Sequence, residues 1–367
     1  MNILNDPNRE DYYRCILDDK TYWLEVVIQS EDVVSVQHKI PNQVIEDIKF
    51  KSTYLLVSNE FECFDSVIEQ VYLSLIIQLG IPENKILFLS GTKDVKTLTT
   101  TVRNRVNKKF NTRLTDIDSR FFNSAEKIIA KNCKNVSAGF EFKRNLILRG
   151  KIDYKKHYIC LNKRWRLHRP SLIALLKSKG LLKNGYVSLG TNDQNQTLYK
   201  IYDSIIEANK DSRELVTLLV NNKQLILDTE SLIIDTEKFE DKKIELARAL
   251  EHYYSSSFMS IVTETYFYNF NTSFLTEKTF KPIAYKQPFI IVGAPNSLKF
   301  LRELGYKTFN PYIDESYDSE LNDSKRMFMI LTEIEKICNF SSQHLRELTL
   351  EVKHICDYNY QLLLSRQ

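Results

Sequence analysis

The stretch from Thr263 to Asp318 allows few folds. A short apolar run, Ser260–Val262, carries Glu264 to a strand end, and Thr276 stands where a hydroxyl can cap the helix that follows. Glu277 and Lys278 then fall in that helix's first turn, where free N–H groups and the positive dipole end favour anions. Pro288-Phe-Ile-Ile-Val292 has the compact apolar form of a buried strand closed by Gly293, and a second helix is expected from Asn296 to Leu304 with Gly305 as its stop. The result is a strand–helix–strand–helix unit with acidic and basic groups gathered at strand and helix ends, the place where open α/β sheets bind ligands.

The pattern recurs upstream. Tyr54–Val57 reads as a buried strand, Asp65–Leu79 as an amphipathic helix ended by Gly80, and Lys85–Leu89 as the next strand. This is a βαβ unit whose crossover should be right-handed. Ser58–Glu62 fills the loop at the carboxyl end of its first strand, so Glu60 and Glu62 either face a cleft or form a solvated acidic helix start. Residues 11–50 read as β-rich, with runs at Tyr12–Ile16, Tyr22–Ile28 and Val33–Gln37, and do not follow simple strand–helix alternation. Farther on, His157–Leu161 is a strand leading into the basic loop Asn162 to Arg169, which holds Lys163, Arg164 and Arg166. A helix follows from Pro170 to Lys179, with the proline in the first turn, where its missing N–H costs nothing. Strand, basic loop and helix start together make a phosphate site. His168 reads as a side chain leading the helix rather than as a base. A strand at 185–190, an interrupted helix over 196–228, a helix over 230–254 and two long helices, Ser324–Ile337 and Ser341–Leu364, complete the chain. The domain boundary is expected near 151–156.

These residues resemble the nucleotide-sugar half of fucosyltransferase-like glycosyltransferases. That family has a glutamate at a strand end, then Thr-Glu-Lys, then an apolar strand ending in a Gly-Ala-Pro-like turn; here these are Glu264, Thr276-Glu277-Lys278 and Pro288 to Pro295. The continuation Ile313-Asp-Glu-Ser-Tyr-Asp318 resembles glycosyltransferase-like proteins of viruses and marine microbes. The family's donor domain also opens with a strand, an Asn and an Arg that starts a helix, matched by Asn162 and Arg169. Lys163, Arg164 and Arg166 exceed that pattern and leave open which cation meets the diphosphate. The resemblance implies an α/β protein of the GT-B kind, with two Rossmann-like domains facing a cleft. Residues 1–153 would be the acceptor side, 154–340 the nucleotide-sugar donor domain, and 341–367 a C-terminal helix crossing back onto the first domain. It also implies transfer of a hexose or pentose from a GDP- or UDP-sugar to a hydroxyl of a glycan or small molecule, with inversion and without a metal or cofactor. Lys278 and Arg169 would offset the diphosphate charge, and Glu264 and Glu277 would accept hydrogen bonds from ribose or sugar hydroxyls. A carboxylate of the other domain, Glu62 first and Glu60 second, would take the acceptor's proton.

Composition narrows the rivals. The chain has 51 Lys and Arg against 47 Asp and Glu, a net +4, too mild to mark a nucleic-acid binder by itself. Arg103, Arg105, Lys108, Lys109, Lys143, Arg144 and Arg149 nevertheless cluster in the acceptor half. They keep open a phage-type DNA glycosyltransferase acting on a hydroxymethylated base. A non-catalytic sugar-nucleotide fold kept as an interaction module is a further alternative, and a dinucleotide-dependent oxidoreductase is disfavoured because no GxGxxG follows either first strand. No aspartate pair has the form of a metal-binding DxD loop. The six cysteines lack CxxC or zinc-ligand spacing and are expected to be reduced. No unbroken apolar stretch reaches bilayer length and the N-terminus lacks a secretory pattern, so a cytoplasmic location, of a cell or an infected host, is expected.

Overall fold

The structure is a computed structural model that describes residues 23–27, 42–51, 54–59, 65–190, 197–229, 248–268, 274–310 and 312–366. The chain divides into two compact units, Met1–Ser124 and Ala125–Gln367. Both are α/β with parallel sheets. Among the described residues no helix is long and apolar enough to cross a membrane.

The first unit carries four parallel strands in chain order, β1 (Trp23–Val27), β2 (Tyr54–Asn59), β3 (Ile86–Ser90) and β4 (Asp118–Phe121). Between them run α1 (Asn42–Phe50), α2 (Asp65–Gln70) with a π-helical continuation over Val71–Gln78, and α3 (Val95–Phe110). Val95, Thr99, Val102 and Val106 recur at spacings of three and four and form the buried stripe of α3. Its three valines join Ile45, Ile48, Leu55, Val57, Leu75 and Phe88 in one core. All of β3 is buried, which is why it reads as an unbroken apolar run rather than an alternating one.

The second unit carries β5 (Lys156–Cys160), β6 (Gly185–Val187), β7 (Ser257–Thr263) and β8 (Phe289–Val292), all parallel, in the order β6-β5-β7-β8. The chain steps outward from β5 to β6, then returns past β5 to add β7 and β8 on the other side. Strand order therefore reverses between β5 and β7. Right-handed crossovers then place the connecting helices on opposite faces and open a crevice at the strands' carboxyl ends. The helices before β5 are α4 (Ser124–Asn132) and α5 (Ala138–Leu148). On one face α6 (His168–Ser178) packs with α7 (Leu198–Ala208), α8 (Arg213–Asn221) and a later helix, α13 (Asp323–Cys338), and α9 (Lys223–Leu227) joins them. The other layer holds α5, α10 (Arg248–Ser256), α11 (Glu277–Ala284) and α14 (Ser342–Leu364), with α12 (Ser297–Glu303) following β8.

The opening of the chain differs from expectation. Residues 42–50 are helical, because Ile45 and Ile48, three apart, bury the same face, so β1-α1-β2 is a strand–helix unit like the others. The expected strands at 12–16 and 33–37 lie outside the described residues, as does 230–247 of the helix expected before β7. The two compact units meet after Ser124, ahead of the 151–156 region, since α5 packs against α10 and α14 of the second unit. The C-terminal helix α14 does lie on residues before 153, but those residues, in α5, belong to its own unit.

Candidate functional site

A single amide stands at the carboxyl ends of β5, β6 and β7. Asn162 lies two residues past β5 and is buried. Its Nδ2 donates to Ser188 O (3.0 Å) and Cys160 Sγ (3.3 Å), and its Oδ1 accepts from Thr263 Oγ1 (2.5 Å). Its own N–H donates to Ser188 Oγ (2.9 Å) and its carbonyl accepts from Gly190 N (2.8 Å). One side chain thus ties the carboxyl ends of β5, β6 and β7. With its amide engaged on both sides and only 2% of it exposed, Asn162 holds the strand ends together. At Gly190 a Cβ would stand 2.2 Å from the carbonyl oxygen of Lys163, so only glycine lets the basic loop press against the end of β6.

The first turn of α6 is buried with its charge. Arg169 is 3% exposed; its Nη2 donates to the carbonyls of Thr263 (3.1 Å) and Glu264 (3.2 Å), and its Nη1 to that of Arg164 (2.6 Å). Its Nε has no partner, and among the described residues no carboxylate lies within ion-pair distance of it. Burial pulls its pKa down to about 10, with Glu264 and Glu277 acting the other way, so it stays charged at neutral pH. His168 is equally buried, hydrogen-bonds Glu264 O through Nε2 (2.8 Å) and stacks on Phe267. Burial, reinforced by Arg169, holds its pKa well below 6.5. The ring is therefore neutral, donates through Nε2–H and serves as a fixed strut. Lys163 and Arg164 on the preceding loop are exposed and Arg166 is half-buried.

Across the reversal point, Thr276 is the N-cap of α11. Its Oγ1 accepts from Lys278 N (3.4 Å) and Lys278 Nζ (3.0 Å) and donates to Glu264 Oε2 (2.7 Å). Glu264, 1% exposed, also accepts from Thr276 N (3.0 Å), Thr279 Oγ1 (2.6 Å) and Thr265 N (3.3 Å). Four donors fill a carboxylate's usual capacity, so Glu264 is not open to ribose. Glu277 is open: its side chain keeps 17% of its exposure, and Lys278 Nζ lies 3.1 Å from Oε1. Burial pushes its carboxyl upward, but Lys278 and Lys281 outweigh this and hold it below the ordinary carboxylate range. The site thus joins Arg169, Lys278, Lys281 and the basic loop to Glu264 and Glu277, with positive charge in excess.

Sequence reading missed two buried charges that hold the segments following β7 and β8. Arg326, 1% exposed, donates to the carbonyls of Gly293 (3.2 Å), Glu320 (2.8 Å) and Phe267 (2.8 Å) and pairs with Asp323 (2.6 Å). Asp318 accepts from Leu298 N (2.7 Å) and Lys299 N (2.8 Å) and so caps α12 from a distance. A charged residue in the first turn of a helix carries no sequence signal that it will be buried.

Glu60 and Glu62 lie outside the described residues. The basic residues considered for nucleic acid are divided, with Arg103, Arg105, Lys108 and Lys109 on α3 of the first unit and Lys143 and Arg144 on α5 of the second. Several are neutralised: Arg103 pairs with Asp116 (2.6 Å), Arg105 and Lys109 with Glu69 (3.5 and 3.3 Å), and Arg144 with Asp357 (3.7 Å). Cys160, Cys338 and Cys356 are buried free thiols pushed up to about 11, 12 and 12 by burial, and Cys133 is also buried and free. Compared with known proteins, the chain matches no protein-family model and no curated protein sequence.

Proposed function

We propose that the carboxyl edge of β5 and β7 binds the diphosphate of a nucleoside-diphosphate sugar, and that the protein is a glycosyltransferase of the GT-B, fucosyltransferase-like kind. The observation that carries this reading is the charge at the strand-order reversal. Arg169 is buried there with no carboxylate among the described residues within ion-pair distance, beside the Thr276-capped first turn of α11 that presents Lys278. A diphosphate supplies the negative charge this arrangement lacks and lies at the positive dipole end of the helix. Arg169, held by three carbonyls, acts through its field, while Lys278 and the rim cations Lys163, Arg164 and Arg166 reach the phosphates. Glu277 accepts from ribose or sugar hydroxyls.

As the sugar–phosphate bond breaks, charge grows on the leaving oxygens, and preplaced cations and N–H dipoles stabilise it more than they stabilise the bound substrate. This chemistry runs without a metal. Glu62, or Glu60, takes the acceptor hydroxyl proton, and in-line attack inverts the sugar's configuration. The donor is a GDP- or UDP-sugar. The ion pairs on α3 and α5 favour a glycan or small-molecule acceptor over duplex DNA.

A thermal-shift comparison of UDP, GDP, CDP and ADP tests the reading. A ligand of the folded form at a hundred times its Kd stabilises by about 2.7 kcal/mol. One of the four is expected to raise Tm, and its nucleoside to do so much less. No shift with any of them at millimolar concentration removes the donor-site assignment.

A further inference from the structure

Glu264 joins the N-terminal turns of two helices that approach the crevice from opposite faces of the sheet. Its carbonyl oxygen accepts from His168 Nε2 (2.8 Å) and Arg169 Nη2 (3.2 Å), both in the first turn of α6. Its carboxylate accepts from Thr276 N, Thr276 Oγ1 and Thr279 Oγ1 at 2.6–3.0 Å, all in the first turns of α11. Behind it lies Gly293 at the end of β8, where an added Cβ would come within 3.4 Å of Glu264 Cβ, so the glycine leaves the space beside Glu264 unfilled by a side chain.

We propose that Glu264 is a positioning residue that sets the spacing between the cationic start of α6 and the Lys278-bearing start of α11, and that this spacing selects ligands with two linked phosphates over those with one. The proposal rests on the donor-site reading. Each helix start offers one cationic subsite, and a diphosphate spans both where a monophosphate fills one. Thr276 transmits the setting, because the hydroxyl that donates to Glu264 Oε2 is the one that accepts from Lys278 Nζ.

Glutamine cannot take over this role. In one amide orientation its NH2 faces the N–H of Thr276, and in the other it faces the N–H of Thr265, so either way a buried backbone donor meets another donor. Calorimetric titration with UDP or GDP, whichever binds the wild type, and with the matching monophosphate and nucleoside, tests the selection. Glu264→Gln should weaken diphosphate binding at least tenfold and nucleoside binding less than threefold, and should add little in a Lys278→Ala background. Equal weakening of diphosphate and nucleoside, or additive losses in the double variant, overturns the proposal, since a direct ribose contact predicts both. Thr279→Val, which removes one partner without charge change, serves if Glu264→Gln fails to fold, with the same outcomes. Amide hydrogen exchange at Thr276 and Lys278 without ligand should accelerate in Glu264→Gln, and unchanged exchange overturns the positioning role whatever the ligand. Wild-type protein that binds none of these nucleotides, with exchange still accelerated, instead removes the donor reading and the selection built on it.

Discussion

Replacing Thr263 with valine removes one hydroxyl from the carboxyl end of β7 and keeps a β-branched side chain suited to a strand. That hydroxyl donates to Asn162 Oδ1 at 2.5 Å, and both residues are about 2% exposed. The amide oxygen would be left without a donor where water has no access, a loss of about 1–3 kcal/mol. Asn162→Ala goes further, because Thr263 Oγ1 and Ser188 O both lose a partner, and about 2–4 kcal/mol is expected. For a domain of this size each kcal/mol moves Tm by roughly 2–4 °C, so Asn162→Ala should lower the second unit's Tm by roughly 4–16 °C. The shared bond makes the two changes non-additive, with a coupling of about 1–2 kcal/mol. The chain has two tryptophans, Trp23 in the first unit and Trp165 in the second. In a Trp23→Phe background, fluorescence during denaturation therefore reports the second unit alone. Unchanged stability in Asn162→Ala with weakened nucleotide binding would make Asn162 a ligand contact and refute the tie, and so would strictly additive losses.

Arg326→Met should destabilise by about 3–5 kcal/mol, since it takes a charged donor from two buried carbonyls, a half-buried one and Asp323, and a loss under 1 kcal/mol in denaturant titration rejects that account. His168 is held neutral well below 6.5, mainly by burial, so above that pH neither folded nor unfolded chain binds its proton, and below it only the unfolded chain does. Stability should therefore fall as pH drops from 6.5, by up to about 1.4 kcal/mol per pH unit from this residue, and the slope should flatten in His168→Gln; an identical slope in the variant sinks the assignment. Lys278→Ala should weaken nucleoside-diphosphate binding by about 1.5–3 kcal/mol and leave nucleoside binding nearly unchanged in calorimetry, whereas equal losses place Lys278 away from the phosphates. Glu62→Gln should abolish transfer with nucleotide affinity intact, Glu60→Gln being the control, and full activity in Glu62→Gln excludes it as the base.

Signals carried within a few residues were legible. The apolar runs of β7 and β8, the hydroxyl of Thr276 ahead of α11, the glycine after α12 and the two C-terminal helices all follow from the i to i+4 periodicity of helices and the continuous apolarity of buried parallel strands. Even α1 obeyed that rule, but its pair, Ile45 and Ile48, was outweighed by β-branched neighbours.

The positions of Glu264 and Arg169 at strand and helix ends were equally local, whereas their partners were not. Asn162 and Thr263 are 101 residues apart, Arg169 and the Glu264 carbonyl 95, and Arg326 and Phe267 59. Those meetings depend on β7 returning to lie beside β5, a strand order that leaves no mark in either strand's composition because all four strands of the sheet are parallel and largely apolar. The sequence by itself determined which segments become strands and helices and which charges stand at their ends. Only the tertiary structure decided which of those charges are consumed in holding the sheet and which still face the crevice, because a hydrogen bond's partner is chosen by proximity in the assembled sheet and not by spacing along the chain.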